Sequence, residues 1–341
     1  MKLINQTIII FGGTGSLGKT LISRLYKKNK LIIFSRDEAK HWTIKNELKN
    51  KKNIKFIIGD IRDQKRVDKV FLEFNPNIAI IASALKQVDT CEQSPFESIK
   101  TNVLGINNVI ESTVRYADRL KKLNSVLLVS TDKACSPSNV YGMSKALAER
   151  LITSSSNGNK NTKYIAVRYG NVLESRGSIL PLFRFQAEFK SHLTVTHTNM
   201  TRFIMTLEES VDLIVSALLD AKSGELWLPK LKSMKIIDLA KIFSEQYSKP
   251  IKIVGIRPGE KLHEDLISYS ESMRVRVKNS IYIMQSSLKN INLNKKMFNY
   301  SSNQDLVSQK ELKTYLKSIK VFDKPLDQFI GKKIDDLGPP Q

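Results

Sequence analysis

A doubly wound α/β fold built on a parallel sheet is the architecture this sequence predicts, with a smaller mixed α/β region alongside. Three observations carry the prediction. Short runs rich in Ile and Val alternate with longer amphipathic stretches through the first half of the chain. The apolar runs are nearly continuous rather than alternating, as strands covered by helices on both faces require. The first run also leads straight into a glycine loop that opens a helix, Phe11-Gly12-Gly13-Thr14-Gly15-Ser16-Leu17-Gly18.

The strands predicted in order are 7–11, 31–34, 55–58, 78–82, 125–129 and 164–168. The helices between them are 16–28, 37–49, 63–74, 95–121 and 139–154. Beyond Arg168 the pattern loosens to helices over 208–221 and 236–246, with a short strand over 224–228 between them. A last helical run covers 308–319, and the chain ends in a loose Gly-Pro-Pro stretch. No repeat is present, and no linker separates two independent domains. The expected organisation is a dinucleotide-binding Rossmann domain over 1–169, to which part of the later chain returns. A mainly substrate-binding region over 170–286 and a C-terminal extension over 287–341 follow.

At 341 residues the chain can bury a large core. No apolar run approaches the ~20 residues of a membrane span, and the first apolar run meets a glycine loop rather than a cleavage site. Cys91 and Cys135 are the only cysteines, too few for a disulfide framework or a zinc site, so a cytoplasmic setting is expected. The net charge of +22 suits a polyanion partner. It equally suits a Lys-, Asn- and Ile-rich composition, and the basic residues are spread without a nucleic-acid module, so no nucleic-acid partner is expected. The four histidines do not cluster, and no metal is assigned.

Gly13, Gly15 and Gly18 fit G-x-G-x-x-G, and Gly12, Gly15 and Gly18 fit G-x-x-G-x-x-G. Glycine permits the tight turn and close backbone approach that place a pyrophosphate at the helix N-terminus. Gly12, Thr14, Gly15, Ser16, Leu17 and Gly18 are therefore candidate cofactor contacts. The second strand ends Ser35-Arg36-Asp37. A hydroxyl and a guanidinium fork suit the 2′-phosphate of NADP, whereas Asp37 suits a free ribose hydroxyl. Asp60, followed by Ile61, stands where it can meet the adenine amine. The fourth strand runs out through Ala82, Ala84 and Lys86, which border the same cofactor. The fifth ends Ser130-Thr131-Asp132-Lys133, and Tyr141 and Lys145 follow in a Tyr-x-x-x-Lys pair. That spacing puts phenol and ammonium on one helix face, where the ammonium can hold ribose hydroxyls and favour phenolate. Thr131, Asp132, Lys133, Tyr141 and Lys145 are the candidate catalytic group.

With these residues in view, the chain resembles the UDP-N-acetylglucosamine 4,6-dehydratases of the extended short-chain dehydrogenase superfamily. The resemblance runs through the glycine loop, Ser35-Arg36-Asp37-Glu38, Ala84-Leu85-Lys86-Gln87-Val88 and Ser130-Thr131-Asp132-Lys133-Ala134. It continues in Arg168-Tyr169-Gly170-Asn171-Val172, Met200-Thr201-Arg202-Phe203, Gly259-Glu260-Lys261-Leu262-His263-Glu264 and Tyr300-Ser301-Ser302. Tyr141 and the short form without membrane helices resemble the configuration-inverting, pseudaminic-acid branch. Glu174 departs from the pattern, standing where relatives carry a small residue.

The resemblance implies loss of water across C5 and C6 of a UDP-N-acetylhexosamine, with NADP lending and recovering a hydride. Lys133 is then the C5 base and must be neutral, which Lys145 and the oxidised nicotinamide favour by charge. Asp132 protonates the departing 6-oxygen and must be held as an acid, as burial would do. Asn171, Arg202, Arg257, Glu260 and Lys86 are the candidate substrate contacts, an arginine fork suiting the pyrophosphate. The family also implies a homo-oligomer, a dimer paired through two helices of the dinucleotide domain or a hexamer. The competing expectations are a retaining dehydratase, a UDP-hexose 4-epimerase or reductase, and, in a different class, a regulator that senses NADP without turnover.

Overall fold

The computed structural model describes residues 3–49, 51–155, 161–288, 293 and 296–323. The Gly-Pro-Pro end lies outside the described residues. The first half runs β1 (Thr7–Phe11), α1 (Ser16–Leu25), β2 (Lys30–Ser35), α2 (Glu38–Glu47), β3 (Ile54–Ile58), α3 (Gln64–Phe74) and β4 (Ile78–Ile81). Then come α4 (Val88–Gln93), α5 (Pro95–Ile99), α6 (Gly105–Arg115), β5 (Ser125–Val129), α7 (Val140–Ser154) and β6 (Lys163–Val167).

The chain divides into two compact units. The first holds 1–169, 207–230 and 267–299. Its sheet has the order β3-β2-β1-β4-β5-β6, all parallel, and a parallel strand Leu226–Pro229 extends it beyond β6. Two antiparallel strands, Ile281–Met284 and Val275–Lys278, finish that edge. The central strands carry no solvent-facing side: Ile8, Ile9, Ile10, Phe11, Ile80, Leu127 and Val167 are fully buried. This is the doubly wound α/β fold that the continuous apolar runs imply.

Helix starts follow local chemistry. Asp37 caps α2 by accepting from the Lys40 amide at 2.9 Å, and Asp63 caps α3 by accepting from the Arg66 amide at 3.1 Å. Asn139 caps α7, accepting from the Gly142 amide at 2.8 Å. The stretch expected as one helix over 95–121 is instead α5, a π turn at Lys100–Leu104 and α6, which stops at Arg115. The π turn inserts an extra residue into the ladder, a device common at functional sites. Here it accompanies Asn102, which is fully buried.

The second unit holds 170–206, 231–266 and 300–341. Within it the strand Thr201–Met205 is flanked by Asn171–Val172 and Ser233–Lys235. Its core joins Leu180 and Phe183 from helix Ile179–Phe189, Leu239 and Phe243 from helix Ile236–Tyr247, and Leu312 and Leu316 from helix Gln309–Ser318. Glu174, the odd residue of its motif, sits at a φ of 64° and pairs with Arg184, which is 2% exposed. Arg184 also donates to the Val321 carbonyl at 2.6 Å, so the pair ties two distant segments of the unit together.

Candidate active site

The glycine loop has the shape that close backbone approach demands. Gly12 has a φ of +79°, and a Cβ there would stand 2.7 Å from the Ser83 nitrogen beyond β4. A Cβ on Gly18 would stand 2.3 Å from the Gly13 carbonyl oxygen, so α1 can start against the loop only with glycine there. Gly15 is the N-cap of α1, and no side chain caps it. That leaves an uncapped, positively polarised helix start behind Thr14, Ser16 and Leu17, a cradle that fits the pyrophosphate of a dinucleotide. Ala82 hydrogen-bonds back to β1, its amide donating to Phe11 O at 2.9 Å.

At the end of β2 the Ser35 hydroxyl lies 2.9 Å from Thr14 Oγ1 and 2.7 Å from His41 Nε2. Arg36 is half-exposed, with its guanidinium 3.5 Å from Asp60. Asp60 also receives two hydrogen bonds from the Arg62 guanidinium. Burial pushes the Asp60 carboxyl up, but Arg62 and Arg36 outweigh it and hold it below its ordinary value. Ile61 beside it is buried. Asp37 is engaged by its own helix, pairing with both the amide and the ammonium of Lys40.

The five catalytic candidates lie in the first unit, in the turn after β5 and on α7. Asp132 is 1% exposed; its Oδ1 accepts from Thr131 Oγ1 at 2.9 Å and from Lys133 Nζ at 3.2 Å. Burial raises the Tyr141 phenol to about 12, opposed by the charge of Lys133 and a hydrogen bond with Thr131. Lys145 is 2% exposed, donates to the Val129 carbonyl at 2.7 Å, and burial lowers it to about 8 against the pull of Glu149. Gly142 brings these groups together: a Cβ there would stand 2.2 Å from the Lys133 carbonyl oxygen.

Asn102 is a residue that motif reading misses. Its amide accepts from the Leu85 nitrogen and donates to the Leu85 oxygen, both at 2.8 Å, which fixes the loop carrying Ala84 and the exposed Lys86. The same amide reaches Ser144 of α7 at 3.0 Å. In the sequence it is one of several polar residues in the stretch 100–108, and nothing marks it out. Arg168 stands in a motif whose sequence does not show its partners: fully buried, it grips Glu149 of α7 and Glu271 with two hydrogen bonds each.

In the second unit, Arg202 is 6% exposed. It donates to the carbonyls of Thr201 and Leu262 and stands 3.5 Å from Glu260. Glu260 closes the turn with Arg257, accepting from the Arg257 amide at 3.3 Å. His263 supports the same region through Thr201, 2.8 Å away. The Oδ1 of Asn171 is buried with no hydrogen-bond partner among the described residues.

Residues 8–286 match the family model described as polysaccharide biosynthesis protein. The inverting UDP-N-acetylglucosamine 4,6-dehydratase of Campylobacter jejuni is 40% identical over 290 residues, 83% of this chain and 84% of that protein. A UDP-glucose 4-epimerase of Rickettsia prowazekii is 40% identical over 280 residues, 79% of this chain and 80% of its own. The structure of Pen from Bacillus thuringiensis superimposes with a TM-score of 0.87 at 34% identity, covering 94% of this chain and 99% of that one. With a family model spanning most of its length and such relatives over four-fifths of it, the chain belongs to the polysaccharide biosynthesis protein family of extended short-chain dehydrogenases, beside the inverting UDP-N-acetylglucosamine 4,6-dehydratases.

Proposed function

We propose that this enzyme dehydrates UDP-N-acetylglucosamine across C5 and C6 with inversion at C5, giving UDP-2-acetamido-2,6-dideoxy-β-L-arabino-hex-4-ulose for L-sugar glycan synthesis. The observation that carries the reading is the buried Asp132 joined to Lys133 beside Tyr141. When bound in the glycine-loop cradle, NADP would supply the hydride acceptor for C4 and the hydride donor for C6. Tyr141 exchanges a proton with the 4-hydroxyl, oriented by Thr131. Moving one proton from Lys133 Nζ to Asp132 along their hydrogen bond yields a neutral amine and a carboxylic acid. The amine removes the C5 proton, and the acid protonates the departing 6-oxygen. Tyr141 and Lys86 are assigned as the proton donors for the opposite face of C5. Asn171, Arg202, Arg257 and Glu260 are assigned to the nucleotide end; Arg202 works there chiefly by shaping the 257–264 loop, since its donors serve that loop.

Incubation with UDP-N-acetylglucosamine in deuterated water, followed by early-time NMR, tests this. The expected product has a methyl at C6 and one solvent deuterium at C5, and a parallel incubation in ordinary water should show the H5 couplings of the L-arabino sugar. A D-xylo product formed first places the chain in the retaining branch. The Rickettsia relative supports a second reading, 4-epimerisation, in which the 6-hydroxyl survives.

For the cofactor, support for NADP comes from Ser35 and Arg36 at the end of β2 and from Asp37 being engaged as the α2 cap. Arg36→Ala is expected to weaken NADP binding at least ~10-fold while leaving NAD within ~2-fold, as loss of a charge-assisted phosphate contact implies. Equal losses for both cofactors would overturn the assignment. A homo-oligomer is supported by Phe96, Ile99, Leu104, Met143 and Leu147, large apolar side chains left exposed on α5, the π turn and α7. A cytoplasmic site of action is supported by two buried free cysteines. Among the described residues no helix is long and apolar enough to cross a membrane.

A further inference from the structure

We infer that His41 is a positioning residue for cofactor choice, fixing the Ser35 hydroxyl as a hydrogen-bond donor toward a 2′-phosphate. The inference rests on the NADP reading above and deepens it. Ser35 has one hydroxyl hydrogen and two polar side chains at its oxygen, Thr14 at 2.9 Å and His41 at 2.7 Å. Where that hydrogen points decides what Ser35 can offer a ligand.

The imidazole is built in. His41 lies in the first turn of α2, its amide donating to Asp37 O at 3.2 Å. The ring packs against Phe56 of β3 at 5.4 Å between centroids, and the residue is only 5% exposed. Burial lowers its pKa, with Asp37 opposing, so the ring is neutral at neutral pH and carries a single N–H. With that hydrogen on Nε2, His41 donates to Ser35, and the Ser35 hydrogen is released toward a third group. With the hydrogen on Nδ1, Ser35 must donate to His41 and can only accept from a ligand.

The two cofactors respond differently to this choice. A ribose 2′-hydroxyl both donates and accepts, so it can pair with Ser35 in either orientation. A 2′-phosphate only accepts, so it needs Ser35 as a donor. The phosphate therefore selects the Nε2–H form, and the chain His41 to Ser35 to phosphate is polarised in one direction. A side chain unable to donate at the Nε2 position leaves Ser35 unoriented and harms NADP while sparing NAD.

Calorimetric titration of NADP and of NAD into the purified full chain reads this directly, without turnover. Wild type is expected to prefer NADP. His41→Leu should lower NADP affinity about five- to twentyfold, the scale of one hydrogen bond to a charged group, with NAD within about twofold. His41→Gln, whose amide keeps a donor near the Nε2 position, should recover most of the loss. His41→Asn, too short to reach Ser35, should behave like the leucine variant and serves if that variant does not fold. A wild type that prefers NAD defeats the NADP reading itself. A wild type that prefers NADP, with His41→Leu or His41→Asn leaving the NADP-to-NAD ratio unchanged, overturns the role of His41 alone.

Discussion

Lys133→Ala and Asp132→Asn are each expected to lower turnover by ~10²–10⁴, the range for removing a positioned acid or base. The expectation follows from their arrangement. Lys133 Nζ and Asp132 Oδ1 are 3.2 Å apart, and the carboxylate is 1% exposed, so Asp132 has no bulk water as a substitute proton carrier. Neither residue belongs to the glycine loop or the β2 end assigned above to the cofactor. Cofactor affinity is therefore expected to hold within ~2-fold. Under single turnover the first oxidation should survive in both variants, so reduced nicotinamide absorbance should build up where wild type shows little. Steady-state assays with UDP-N-acetylglucosamine and stopped-flow absorbance check the two halves separately. Full turnover in both variants would remove dehydration from consideration, and loss of the initial oxidation as well would assign the pair to substrate placement.

The chemistry-bearing residues were legible because they cluster in sequence at strand ends. In a parallel sheet the carboxyl ends of β1, β2, β4 and β5 share one edge. A motif at each end is thus enough to bring Gly12, Ser35, Ala84 and Asp132 to one side without knowledge of contacts. Element boundaries were legible where a cap ends the pattern, as Asn75 in the left-handed region does for α3. The break inside 95–121 was not, since a π turn leaves the apolar period almost intact. The electrostatics were also hidden. Tyr141 and Lys145 lie one helical turn apart, but that spacing does not show that the buried Lys145 ammonium donates to the Val129 carbonyl. Glu174 reads as a departure from a motif, and its reason is tertiary: Arg184 is buried and needs a carboxylate. The return of 207–230 and 267–299 to the first unit rests on pairings that local pattern does not encode.

Arg168→Met is expected to destabilise the fold by about 3–5 kcal/mol near neutral pH, the cost of stripping a buried ion pair of one partner. Arg168 binds Glu149, 19 residues away on α7, and Glu271, 103 residues away, and no residue between them hints at the triad. Its loss strands two buried carboxylates behind the helix that carries Tyr141 and Lys145. Acid titration separates this from mere loss of packing. Burial alone would push Glu271 up, but Arg168 outweighs it and holds the carboxyl at about 2. An unfolded Glu titrates near ~4.3. Above that pH the group is charged in both states, and its stabilisation, about 3 kcal/mol for a depression of this size, is fully present. As pH falls from ~4.3 toward about 2, the unfolded chain takes up a proton that the folded chain refuses, and wild type loses that stability. In Arg168→Met the sign reverses. With the guanidinium gone, burial raises Glu271 above its unfolded value, so acidification neutralises a stranded charge and favours the fold. Urea denaturation at several pH values should therefore show the gap between the two proteins narrowing steadily from neutral pH to pH ~4. A gap that stays constant over that range would mean that Arg168 acts through packing rather than through its charge.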